Sequence, residues 1–259
     1  PFYNLIILEP GYYRLAANTN VTNDVIINAN STLSLTGANY TLTVGGNFLN
    51  YGTFESFNGT VVLNAGGGTK SITNANSSFY DLVINGPGAT YVLSDSLYIR
   101  HNLNLTNGTF DVNGKVLKVG DNAGLDYLSI GGVLEVDANA KVKMGAGSAI
   151  EVNSGGILKI LGGDENLPAY ITRQTTGNYG ITVKDGGQLW AKYYDVSYTN
   201  ANGIYMLSGS VLDPANNLSD GVFSNGYATG TYLKFENNFG SDDTLRNIIF
   251  NTGPVYNVT

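Results

Sequence analysis

Residues 133–160 read Val133-Leu134-Glu135-Val136, Asp137-Ala138-Asn139-Ala140, Lys141-Val142-Lys143-Met144, Gly145-Ala146-Gly147-Ser148, Ala149-Ile150-Glu151-Val152, Asn153-Ser154-Gly155-Gly156 and Ile157-Leu158-Lys159-Ile160. Four short runs of alternating character therefore begin eight residues apart, at 133, 141, 149 and 157. Alternation with period two is the mark of a strand with one face buried. Between the runs stand Asp137-Ala138-Asn139, Gly145-Ala146-Gly147 and Ser154-Gly155-Gly156. Gly and Asn tolerate positive φ, so these tripeptides read as corners. An eight-residue beat leaves room for a strand and a corner and for nothing else. Three such units make a coil of about 24 residues, which suits a parallel β-solenoid.

The pattern extends in both directions. Phe2-Tyr3-Asn4-Leu5-Ile6-Ile7 returns as Phe79-Tyr80-Asp81-Leu82-Val83-Ile84, 77 residues on. Ser31–Gly37 corresponds in the same way to 108–114, and Leu42–Gly46 to 117–121 at an offset of 75. Residues 1–126 thus read as one copy of about 77 residues and a shorter second copy, 127–163 as short regular rungs, and 164–259 as larger rungs with loops. Asp164-Glu165-Asn166-Leu167-Pro168 opens the looser part. Expected inward positions are Leu33, Leu35, Val133, Ile150 and Ile157. No segment keeps an apolar i, i+3, i+4, i+7 pattern over three turns, which disfavours folds that join strands through helices. Stacked sandwiches and propellers remain as competitors. The fold expected is all-β: a single-stranded, right-handed parallel β-helix running through 1–259.

Composition bounds the function. The 259 residues contain 34 Gly, 6 Pro and no Cys, with 18 Tyr and 10 Phe. Charged residues are only 13% and the net charge is −7. Such a chain repels phosphate, so nucleic acid is not expected as a partner. Between Pro1 and Thr69 the charged side chains are Glu9, Arg14, Asp24 and Glu55. Solubility there rests on Asn, Thr and Ser, a surface more common outside the cell than inside it. No apolar run approaches the roughly 20 residues of a membrane span. A chain that starts at Pro1 reads as a processed or excised product of an extracellular or cell-surface protein.

The stretch Tyr193-Tyr194-Asp195-Val196-Ser197-Tyr198-Thr199-Asn200-Ala201-Asn202-Gly203-Ile204 resembles rungs of right-handed parallel β-helix proteins of the pectate-lyase-like class. Asp220-Gly221-Val222-Phe223-Ser224-Asn225 resembles another. Thr41-Leu42-Thr43-Val44-Gly45-Gly46-Asn47-Phe48 is similar to repeats of large bacterial or archaeal surface and adhesin-type proteins. The class holds lyases, hydrolases, adhesins and phage spikes, so the resemblance implies a fold and leaves the function open.

Its polysaccharide-cleaving members set clustered acids on one face, and a hydrolase needs two carboxyls about 5–10 Å apart. Asp185, Asp195, Asp213 and Asp220 are the acids to consider here, against the plainer reading that they form turns. His101 is the only histidine. It cannot build a histidine-rich metal site, and it stands where Asp24 stands in the first copy. Calcium has weak support from Asp164-Glu165 and Asp242-Asp243, neither of which fits an EF-hand loop. Ala65-Gly66-Gly67-Gly68-Thr69-Lys70 lacks the glycine spacing of a phosphate-binding loop. Trp190, Tyr194, Tyr198 and Tyr205 form the candidate glycan-stacking strip if no bulge intervenes, with Tyr193 facing the other way; the plainer reading makes them core and edge aromatics. Asn20, Asn30, Asn39, Asn58, Asn76, Asn104, Asn107, Asn217 and Asn257 head Asn-x-Ser/Thr sequons and are candidate glycosylation sites. Asn ladders at stacked corners are the structural alternative.

Three functions follow. The leading one is a non-catalytic structural or adhesive module of a cell-surface or filament protein. It would meet a polysaccharide or a host or neighbouring cell surface, with end-to-end self-association and no cofactor. The second is a carbohydrate-binding module that uses the aromatic strip. The third is a polysaccharide lyase or hydrolase.

Overall fold

The computed structural model describes residues 1–37, 39–236 and 244–259. Its regular elements are strands, paired in parallel throughout and wound into a solenoid of about 11 turns. Each coil crosses three faces in chain order. Leu5–Ile7 opens the first face, Gly11–Arg14 the second and Thr19–Val21 the third. Val25–Ile27 then returns to the first face and pairs with Leu5–Ile7. The second face is an 11-stranded parallel sheet that runs from Gly11–Arg14 to Ile249–Phe250. The first and third faces merge where Asp81–Leu93 and Leu103–Asp111 turn from one to the other without a break.

The regular stretch behaves as its spacing implies. On the first face Phe110, Leu134 and Leu158 are register partners, 24 residues apart at each step. Corner residues Asn139, Gly147 and Gly155 have φ of 63°, 74° and 80°. A left-handed residue turns the chain sharply there, and Gly and Asn adopt that conformation at least cost.

The core is a set of stacked rows. On the third face Leu42, Val61, Leu82, Leu103, Leu128, Ile150, Ile181, Ile204 and Leu233 follow one another in register. All nine are fully buried. Phe48, Phe54 and Phe79 fill the early coils with edge-to-face contacts, centroids 5.1–5.5 Å apart, a favoured arrangement for rings.

Leu33, Leu35 and Ile150 lie inward as expected, but Val133 and Ile157 do not. Both runs hold three apolar residues in four, so apolarity alone does not set the parity. Glu135 and Lys159 do: they pair outside at 2.7 Å, which turns Val133 and Ile157 outward with them and puts Leu134, Val136, Leu158 and Ile160 inside.

The 77-residue repeat has a different meaning in three dimensions. Leu5–Ile7 lies on the first face, whereas its match 82–84 lies on the third. Ser31–Ser34 is on the second face and 109–111 on the first. Thr41–Val44 is on the third and 117–119 on the second. Each copy is displaced by the same step, so the repeat counts strand-and-corner units rather than whole coils.

Corner side chains tie one coil to the next. The Asn4 carboxamide oxygen accepts the Asp24 N–H (3.1 Å), Asp24 accepts the Asn47 N–H (2.7 Å), and Asn47 accepts the Ser71 N–H (2.8 Å). Elsewhere Asp81 accepts the Asn102 N–H and Asn102 accepts the Tyr127 N–H.

Ile150→Asp should unfold the middle of the stack, because it places an unpaired carboxylate in a dry row. The expected loss in denaturant titration is at least about 4 kcal/mol. A loss within about 0.5 kcal/mol, the scale of surface substitutions, would remove Ile150 from the core.

The second face as candidate functional site

The larger recesses open on the second face. Near its start, a cavity of about 580 Å³ is lined by Thr53, Glu55, Phe57, Asn58, Asn76 and Arg100, among others. A groove of about 170 Å³ continues from it past Ser96, Tyr98, Val116 and Lys118. Toward the far end lies a third cavity, of about 720 Å³, between Tyr193, Asp195, Asp220, Asn247 and the loop residues Glu165 and Asn166. The 164–168 loop makes that cavity. It lengthens the coil to 31 residues from Leu158 to Leu189 and raises a wall beside the sheet. Asp164 caps its own turn: its Oδ1 accepts the Asn166 and Leu167 N–H groups. Asp242-Asp243 lies outside the described residues.

Of the four candidate acids, two meet. Asp195 and Asp220 line the 720 Å³ cavity. Asp195 projects outward between its register partners Tyr170 and Val222. Burial pushes its carboxyl above the ordinary value, since desolvation disfavours the charged form. Asp220 accepts a hydrogen bond from the Asn247 amide (2.7 Å) and lies 3.9 Å from the Lys192 ammonium. Asp185 instead accepts the Gly209 N–H as a corner tie. Asp213 accepts the Ala215 and Asn216 N–H groups of its own turn.

The aromatic strip does not form. Tyr193 has a φ of 54°, a corner that resets the alternation. Tyr194 therefore points inward, fully buried, and donates to the Leu218 carbonyl (2.7 Å). Tyr193, expected to face away, lines the cavity beside Asp195. Trp190 projects from the first face under Lys159, and Tyr205 from the third, where its hydroxyl donates to Glu236. Tyr198 sits at the corner beyond the second face, with the Arg173 guanidinium 3.6 Å from its ring centre.

Of the sequon asparagines, Asn20, Asn30, Asn39, Asn58, Asn76, Asn104, Asn107 and Asn257 are exposed and Asn217 is half-buried. Asn58 and Asn76 flank the 580 Å³ cavity. Asn107 also donates to the Asn85 carboxamide oxygen of the preceding coil (2.7 Å), so exposure and a corner tie coexist there.

Comparison with known protein families, curated proteins and solved structures finds no match to this chain.

One cluster has little sequence signal. His101 Nδ1 lies 2.8 Å from an Asp81 carboxylate oxygen, and its ring stacks on Tyr80 at 4.8 Å. Asp126 lies nearby, buried, its carboxyl pushed up mainly by burial, with the hydrogen bond it accepts from the Asp121 N–H opposing. Asp81, rather than His101, takes the part of Asp24: both accept the backbone N–H of an Asn in the next coil.

The raised carboxyl of Asp195 fixes a pH effect. Its proton is held more tightly in the folded than in the unfolded chain. Ionisation therefore opposes folding, with no penalty below the unfolded value and the whole penalty above the folded one. Asp195→Asn should melt higher than the parent at pH 7 and level with it near pH 3. A variant that melts lower at pH 7 would show that the carboxylate stabilises the fold.

Proposed function

We propose that this chain is a non-catalytic, extracellular structural and adhesive module: a rod whose second face meets a polysaccharide or a cell surface. The observation that supports this most is the division of labour among the faces. Corner Asn and Asp side chains are engaged in joining coils, whereas the two largest recesses open on one long sheet, with smaller ones at its corners. With parallel strands about 4.8 Å apart, ten steps between coils make a stack of about 50 Å. Such a rod is suited to span and present. Exposed sequons and an uncharged polar surface favour an extracellular setting.

The end coils favour joining. Leu5–Ile7 and Gly11–Arg14 each pair with the next coil on one side. Phe2, Tyr3, Ile6 and Leu8 are exposed at that end, and Val255, Tyr256 and Val258 at the other. Unpaired strand edges of this kind accept a further strand. Light scattering across a concentration series should show mass growing with concentration. A constant monomer mass would remove end-to-end association.

A second reading, a polysaccharide lyase or hydrolase, draws on Asp195, Asp220 and Tyr193 lining one cavity. A panel of insoluble polysaccharides separates the two. The adhesive reading expects retention on at least one polymer with no release of reducing or unsaturated ends. Release that disappears in Asp195→Asn would overturn it and establish the enzyme.

A further inference from the structure

The cations of this acidic chain are unevenly placed. On the first and third faces and their corners, Lys159, Lys184 and Lys192 each meet a carboxylate, from Glu135, Glu151 and Asp220. In the middle of the second face they do not. Lys118 and Lys143 are register partners in adjacent coils, both projecting outward. Lys141 lies beside them as the partner of Val116, and Lys115 precedes that strand. Among the described residues none of these four has an ion pair. Like charges set directly opposite across a strand pair destabilise a sheet. The fold thus carries a local repulsion that an anionic partner would relieve.

Aromatic rings flank the charges, Tyr98 one coil before Lys118 and Tyr170 one coil after Lys141. The Lys118 ammonium stands 6.0 Å from the Tyr98 ring centre and Lys141 stands 4.7 Å from that of Tyr170. The groove past Ser96 and Val116 runs alongside. Acids bound the strip. Glu55 precedes it on the same row, Asp121 and Asp126 lie close to Tyr98, and Asp195 follows Tyr170.

We propose that this strip is a docking track for a short run of an acidic polysaccharide, bearing carboxylate or sulfate groups. The inference rests on the adhesive reading of the second face. Charge spacing decides the class of partner. The Lys118–Lys143 step is one coil, about 4.8 Å, close to the advance of one sugar in an extended chain. Duplex nucleic acid presents a phosphate about every 3.4 Å of axis on each strand, denser than this track, and the net charge of −7 opposes it further. The tyrosines at either end of the lysines offer apolar ring surface to sugars beyond the charged groups.

Binding of the purified chain to immobilised heparin and hyaluronan, with duplex DNA and insoluble neutral glucan as comparators, tests this. The chain should bind at least one acidic glycan at low salt and lose affinity as salt rises. Lys118→Gln with Lys143→Gln should weaken that binding about tenfold or more while the melting temperature holds or rises. Lys234→Gln, on the third face, should change nothing. Failure to bind either acidic glycan at low salt overturns the proposal. So does equal loss in Lys234→Gln, or DNA bound as tightly as the glycans. Retention on neutral glucan by the double variant, with no acidic binding in the parent, would leave the adhesive reading standing and remove this track. No retention on any polymer would remove both.

Discussion

In a coiled chain of parallel strands, the backbone of each coil satisfies its hydrogen bonds only through the coils above and below. The constraint is strict in the strands, where the ladder is continuous, and harder to meet at corners, where donors point outward at irregular angles. This chain meets it with short polar side chains. Asn4, Asp24 and Asn47 hand one bond along three successive steps, and Asp81 with Asn102 repeats the device on another corner. The abundance of Asn follows from that need. So does the low charge, since a corner that must accept a neighbour's N–H has little use for a long ionic side chain.

Stacking in register also multiplies whatever each face carries. An inward Leu becomes a row of nine apolar residues, and an outward Lys becomes a line of charge. On the first and third faces and their corners Lys159, Lys184 and Lys192 are each neutralised by a carboxylate, whereas Lys70 and Lys234 stand singly among the described residues. On the second face Lys118 and Lys143 fall in line without a carboxylate between them. The 164–168 loop raises the cavity wall at the far end of the same face. The two largest recesses, the facing Lys118–Lys143 pair and the insertion therefore meet on one side of the rod, and that convergence supports the functional reading. A solenoid can alter the residues of one face while the rows behind them keep the core.

The β-solenoid was legible in 133–160 because strand and corner alternate there with a constant period. Parity was legible only through Glu135 and Lys159, not through the apolar residues around them. The 77-residue repeat was visible, but its meaning was not, since similar strand-and-corner units can sit on any of three faces. Tyr194 was misplaced because the left-handed turn at Tyr193 falls on a residue that rarely adopts it. Asp195 and Asp220 could be grouped from their spacing of about one coil, whereas the separation of Asp185 and Asp213 needed their hydrogen-bond partners. The lysine track left no local signal: its members stand a coil apart in sequence and become neighbours only in register.

Side-chain ties at the corners should protect the amides they engage as well as the strand ladders protect theirs. Site-resolved hydrogen exchange of the intact chain tests it. The amides of Asn47, Ser71, Asn102 and Tyr127 would exchange rapidly in free turns. The account predicts that they exchange as slowly as the neighbouring strand amides, and that protection falls off in the end coil at Phe2–Leu8. Corner amides that exchange at open-loop rates beside protected strands would contradict it.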